Sequence, residues 1–153
     1  MNWRYAHRSL LLCTLAFMVT MVARLAISPL VPAITDEFAV SNAAVGLALS
    51  IMWATYVLVQ FPSGVLGDRF GERKVILTEI GLTGLSSLCI AVAPSYGVSV
   101  LFVGVLGIGA GLHYTPATTF LAKQYDDIGR TIGVHVAGSS TAGLVAPVAA
   151  AAI

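Results

Sequence analysis

The chain has 153 residues, of which 58% are hydrophobic and 10% charged, with a formal net charge of +1. Soluble domains carry about 25% charged residues, and a soluble chain this short has much surface to cover with polar groups. The composition excludes an ordinary soluble domain and makes the lipid bilayer the natural solvent, with no nucleic acid expected as a partner.

The placement of the charges divides the chain. No Asp, Glu, Lys or Arg occurs between Phe38 and Gly67, between Ile80 and Ala122, or from Thr131 to Ile153. A spanning helix needs about 20 apolar residues, so these gaps predict one, two and one spans. The first expected span covers residues 9–30, bounded by Pro29 and Pro32, with Asp36 and Glu37 in the loop that follows. Arg4 and Arg8 before it fit a signal peptide. No small-x-small cleavage site follows them, however, so a retained span is expected. The second span covers residues 42–63, with Ser41 or Asn42 as its N-cap. The third covers 74–93 and ends at Pro94, the fourth covers 97–122, and the fifth covers 131–153. An odd number of spans and an apolar run that reaches Ile153 without a basic anchor predict that more chain follows. Cys13 and Cys89 lie inside apolar runs and are expected to be small packing residues rather than a disulfide or metal pair.

Arg4 and Arg8, then Arg69, Arg73 and Lys74, then Lys123 and Arg130 all fall on one side of this arrangement. The opposite loops, around Asp36–Glu37 and residues 94–97, hold no Lys or Arg. The positive-inside rule therefore predicts a cell-membrane protein with a cytoplasmic amino terminus.

Between the second and third spans the chain reads Gly64-Val-Leu-Gly-Asp68-Arg69-Phe-Gly71-Glu72-Arg73-Lys74. We expect a short cytoplasmic loop over 64–74, with glycines allowing close approach and positive φ and one acid among bases. This segment resembles the Gly-x-x-x-Asp-Arg-x-Gly signature between the second and third helices of the major facilitator superfamily, matched at Gly64, Asp68, Arg69 and Gly71. Glu72 stands where the family usually has a base, and Arg73 keeps the cluster basic. The resemblance implies an all-α membrane bundle, of which this chain supplies the first five of twelve helices, arranged as inverted repeats. It also implies a cytoplasmic gate at Gly64, Asp68, Arg69, Gly71 and Arg73. The glycine run Gly104, Gly107, Gly109 and Gly111 agrees with the family's fourth helix, although Val103 occupies the position of a family Arg. Gly138, Gly143 and Pro147 are similar to an antiporter motif in the fifth.

Ionisable residues within spans are functional candidates. Thr20, Arg24 and Ser28 share one helical stripe, and the resemblance turns that helix towards a central cavity. Arg24 then points to an anionic substrate or to an ion-pair partner on a missing helix. His113 is a candidate for binding substrate or relaying a proton. His135 is expected at the membrane interface. Glu79 is expected to pair with the nearby basic cluster. Trp53, Tyr56 and Gln60 lie on one face of the second span and either border the cavity or simply pack.

The expected function is secondary active transport of a small solute, with an anion as the candidate class. The alternatives are an antiporter of drug-like compounds and a truncated membrane protein that transports nothing. The partners expected are the solute, the bilayer and the missing carboxy-terminal helices. The sequence contains neither H-E-x-x-H nor G-x-x-x-x-G-K-[ST], so neither an enzyme nor a cofactor or metal is expected.

Overall fold

The computed structural model describes residues 3–151, so the expected fifth span, 131–153, ends outside the described residues. The described residues form α1 (Trp3–Leu25), a 3₁₀ turn (Ser28–Leu30), α2 (Val31–Phe38), α3 (Asn42–Phe70), α4 (Glu72–Ala91), α5 (Tyr96–Gly111), α6 (Tyr114–Ala122) and α7 (Ile128–Ala151). Among them, 4 helical stretches are long and apolar enough to cross a membrane: 3–38, 42–70, 72–91 and 96–122. The molecule is an all-α multi-span membrane bundle. Large apolar side chains such as Leu12, Val19, Leu58, Phe61 and Leu88 lie exposed on its outer faces, as a lipid solvent requires.

Helix ends follow local chemistry. The Ser41 hydroxyl accepts from the Ala44 amide at 3.2 Å and caps α3. Asp127 Oδ1 accepts from the Arg130 amide at 3.1 Å at the start of α7. α3 runs on through Phe70, and α4 begins at Glu72. The segment expected as a loop over 64–74 is therefore helical except at Gly71. Its φ of 90° and ψ of 133° suit glycine alone. The loop expected around Asp36–Glu37 is likewise the short helix α2.

α7 packs along α1, and α5 packs along both α3 and α4. Glycines set the closest approaches. A Cβ at Gly111 would lie 2.6 Å from the Tyr56 carbonyl oxygen, one at Gly107 would overlap the Met52 carbonyl and the Thr55 hydroxyl, and one at Gly138 would lie 2.6 Å from the Thr14 carbonyl. Two of the spans are broken. The first loses α-helical form after Leu25 and resumes as α2; the fourth breaks at Leu112–His113 and resumes as α6. The second break is itself packed and bonded: Leu112 and His113 are buried, and their amides donate to the Gly109 and Ala110 carbonyls.

Candidate functional site

The broken segments bring together a polar cluster in an otherwise apolar bundle. Arg24 lies in the last turn of α1 and is 1% exposed. Its guanidinium lies over two rings of α3, 4.2 Å from the centroid of Tyr56 and 4.9 Å from that of Trp53. Nη2 points at the Met21 sulfur, whereas Nε and Nη1 are buried without a hydrogen-bond partner. The fork of an arginine is a strong bidentate donor, so two of its donor groups are left unused. Tyr56 is half-buried and Trp53 is exposed on its outer side, so the rings cover Arg24.

One turn back along α1, Thr20 donates to Glu79 Oε1. Glu79 of α4 and His113 are both fully buried, and Glu79 Oε2 lies 3.0 Å from His113 Nδ1. Thr83, one turn on from Glu79, donates more weakly to Oε1 at 3.4 Å. Phe17 of α1 stacks on His113 at 5.1 Å and on His135 of α7 at 5.0 Å, and the two imidazoles stack at 5.4 Å. His113 Nε2 and both ring nitrogens of His135 are buried without partners.

Two expectations are corrected here. Glu79 does not pair with the nearby basic cluster; it turns inwards to Thr20 and His113. His135 is not interfacial but 0% exposed, held between aromatic faces. The stripe Thr20–Arg24–Ser28 is also shortened, because α1 stops at Leu25 and Ser28 lies exposed in the 3₁₀ turn. Gln60 is half-buried one turn from Tyr56, and its backbone carbonyl accepts from Ser63 at 2.6 Å and from Thr115 at 3.4 Å. Glu79, Phe17 and His135 are thus the members that sequence reasoning placed elsewhere or passed over.

The signature residues form a separate surface at the junction of α3 and α4. Gly64 faces Thr115, and Gly67 packs on Pro116. Asp68, Arg69 and Arg73 are exposed, with Arg69 lying 5.3 Å from the centroid of its neighbour Phe70. Glu72, the departure from the family pattern, forms an ion pair with Lys123 at the end of α6. Asp68 has no ion-pair partner among the described residues.

The family model described as Major Facilitator Superfamily matches residues 13–153. The chain belongs to the major facilitator superfamily. Relatives of this superfamily chain include the 4-hydroxybenzoate transporter PcaK of Pseudomonas aeruginosa, 29% identical over 119 residues, which are 78% of this chain and 27% of that protein. The probable sulfoacetate transporter SauU of Cupriavidus necator is 29% identical over 73% of this chain and 26% of its own length. The probable anion transporter 4, chloroplastic, of Oryza sativa subsp. japonica is 29% identical over 74% of this chain and 20% of its own length. The matches thus span about a quarter of these relatives or less. No solved structure matches the chain. Membership points to transport rather than catalysis and agrees with a multi-pass membrane protein.

Proposed function

We propose that the chain is the amino-terminal part of a secondary transporter that moves a small anion across the cell membrane by alternating access, with Arg24 as the anion seat. The observation that carries this reading is the buried Arg24 fork, with Nε and Nη1 unpartnered. A buried arginine left without acceptors costs several kcal/mol, and a carboxylate, sulfonate or phosphate supplies the acceptors and the charge together. Three relatives carry names that refer to anions, which supports the same class. Further helices complete the cavity wall. The amino terminus lies in the cytoplasm because Arg4, Arg8, Arg69, Arg73, Lys74, Lys123 and Arg130 fall on one side. Asp68 and Arg69 form part of a cytoplasmic latch that closes against the second half.

The test is uptake of 4-hydroxybenzoate, sulfoacetate and a neutral sugar into liposomes holding the complete transporter that begins with this chain. Anion uptake that Arg24→Ala nearly abolishes and Arg24→Lys weakens is expected. Unchanged affinity and rate in Arg24→Ala would make Arg24 structural and end the anion reading.

A further inference from the structure

The Glu79–His113 pair lies beside the anion seat but does not touch it. Thr20 donates to Glu79 Oε1, and Arg24 follows Thr20 by one turn of the same helix. The carboxylate, held by Thr20, is thus anchored one turn of α1 away from Arg24, both side chains are buried, and their charges offset one another. The titratable and charged groups that face the pair are Cys13 and Arg24 from α1 and His135 from α7; Tyr56 faces Arg24 and Tyr114 faces Phe17 beyond them.

The tautomer of His113 follows from its partner. With Glu79 ionised, its oxygens only accept, so Nδ1 carries the hydrogen and donates to Oε2. In the neutral ring Nε2 is then a lone-pair acceptor, and it is buried with no hydrogen-bond partner. This site can take one proton, and the imidazolium so formed already faces a carboxylate. A second proton on His135 is opposed, because the two rings stack at 5.4 Å.

We propose that Glu79 and His113 are the proton-binding site of the transporter, and that His113 Nε2 takes one proton when an anion occupies Arg24. The charges balance. In the resting state so proposed, Arg24 is +1, Glu79 is −1 and His113 is neutral. The anion adds −1, and one proton from the aqueous side forms an N–H bond on Nε2, so the buried set stays neutral. No bond between heavy atoms forms or breaks, and the proton leaves when the anion leaves. Isolated charge is costly in such surroundings, so each ligand raises the affinity for the other, and by linkage the effect is reciprocal. The result is co-transport of an anion with a proton. This rests on the anion reading of Arg24 above, while the proton site can be tested without it.

The experiment has two arms on the complete transporter in detergent. The first needs no ligand: nitrogen NMR of labelled histidines is followed against pH. A titrating ring is expected that disappears in His113→Gln and moves to more acid pH in Glu79→Gln. No titration of His113 in the folded protein, or an unmoved titration in Glu79→Gln, overturns the proton site. The second uses benzoate, a small aromatic carboxylate, in weakly buffered solution with a pH dye. Wild type is expected to take up about one proton per benzoate bound. Both His113→Gln and Glu79→Gln are expected to lose that uptake, and His113→Gln, by the same linkage, to bind benzoate more weakly than wild type. Proton uptake equal to wild type in His113→Gln overturns the proposal. If wild type binds no benzoate, the anion reading is what fails for this class, and the NMR arm alone decides the proton site. If Glu79→Gln does not fold, His113→Gln carries both arms.

Discussion

Glu79 Oε2 and His113 Nδ1 lie 3.0 Å apart, with both side chains fully buried between α4 and the break that precedes α6. The two residues are 34 positions apart in the chain, and the contact exists because Gly109 lets α5 lie close against α4 at Thr83. Removing one partner leaves the other buried without its hydrogen bond. We predict that Glu79→Leu and His113→Leu each destabilise the folded bundle by about 1–3 kcal/mol. The pair Glu79→Leu/His113→Leu should cost less than the sum of the two. Thermal denaturation in detergent measures the cycle, and additive losses would show that the contact contributes nothing as a pair.

Close helix approach gives a second prediction. A Cβ at Gly111 meets the Tyr56 carbonyl oxygen at 2.6 Å, whereas one at Gly46 or Gly81 meets nothing within 4 Å. Gly111→Val should sharply lower the yield of folded protein in the membrane, and Gly46→Ala and Gly81→Ala should leave it unchanged. Monodisperse yield after solubilisation is the readout. Equal yields for Gly111→Val and Gly81→Ala would mean that α3 and α5 do not pack this closely.

Much of this was legible in the sequence, and the rest was not, for physical reasons. The bundle class followed from the charge gaps, because a chain without charges over a span has only lipid to live in. The family followed from Gly64, Asp68, Arg69 and Gly71, because a short motif between two apolar runs survives uncertainty in helix ends. Arg24 stood out because a cation in a span needs an explanation. Glu79 was misassigned because sequence distance favours Lys74 and Arg73, whereas the fold turns that face of α4 towards α1 and α6. A signal was present. A carboxylate in a span needs a donor, and Thr20, Thr83 and His113 are donors within apolar runs. His135 was misplaced because counting turns from the helix start gives depth but not which face is covered. Both helix breaks had a proline signal that a straight reading of the spans passed over: Pro29 and Pro32 stand at the first, and Pro116 cannot donate to the Leu112 carbonyl four residues back at the second.

Topology gives a third prediction. Reporter fusions at Arg73 and Arg130 should read cytoplasmic, and a fusion at Ser95 should read external, because the basic residues cluster on the first side. An external signal at Arg73 would invert the arrangement and remove Asp68 from any cytoplasmic latch.

Asp68 gives a fourth. It is exposed at the end of α3 and has no ion-pair partner among the described residues, while its neighbour across the turn, Glu72, is paired with Lys123. Asp68→Asn in the complete transporter should slow uptake at normal membrane abundance, because asparagine keeps the size but not the charge. Glu72→Gln should change stability by less than about 1 kcal/mol, since a surface ion pair is worth little. Uptake measured beside abundance separates the two, and normal uptake in Asp68→Asn would show that the carboxylate is not part of a latch.

The rings over Arg24 give the last. Tyr56 and Trp53 present their faces to the guanidinium at 4.2 and 4.9 Å, an arrangement worth about 0.5–2 kcal/mol per ring depending on desolvation. The rings do two things at once. They stabilise the cation in the absence of an anion, and they cover it, since Trp53 is 41% exposed on its outer side while Arg24 is 1% exposed. An anion that takes the Arg24 fork need not displace a ring, because a stacked guanidinium keeps its donors in its own plane. Tyr56→Phe keeps the ring and loses only the hydroxyl, so it should leave anion affinity within about twofold. Tyr56→Ala removes both cover and stacking, admits water to the fork and lets hydration compete with the anion. Its affinity should fall by up to about tenfold, the equivalent of about 1.4 kcal/mol, and Trp53→Ala should act in the same direction but less strongly, because its ring is farther away. Equilibrium binding of a small carboxylate to the four proteins, wild type included, measures the series. If Tyr56→Ala binds as tightly as wild type, the rings are packing alone and add nothing to the proposed anion seat at Arg24.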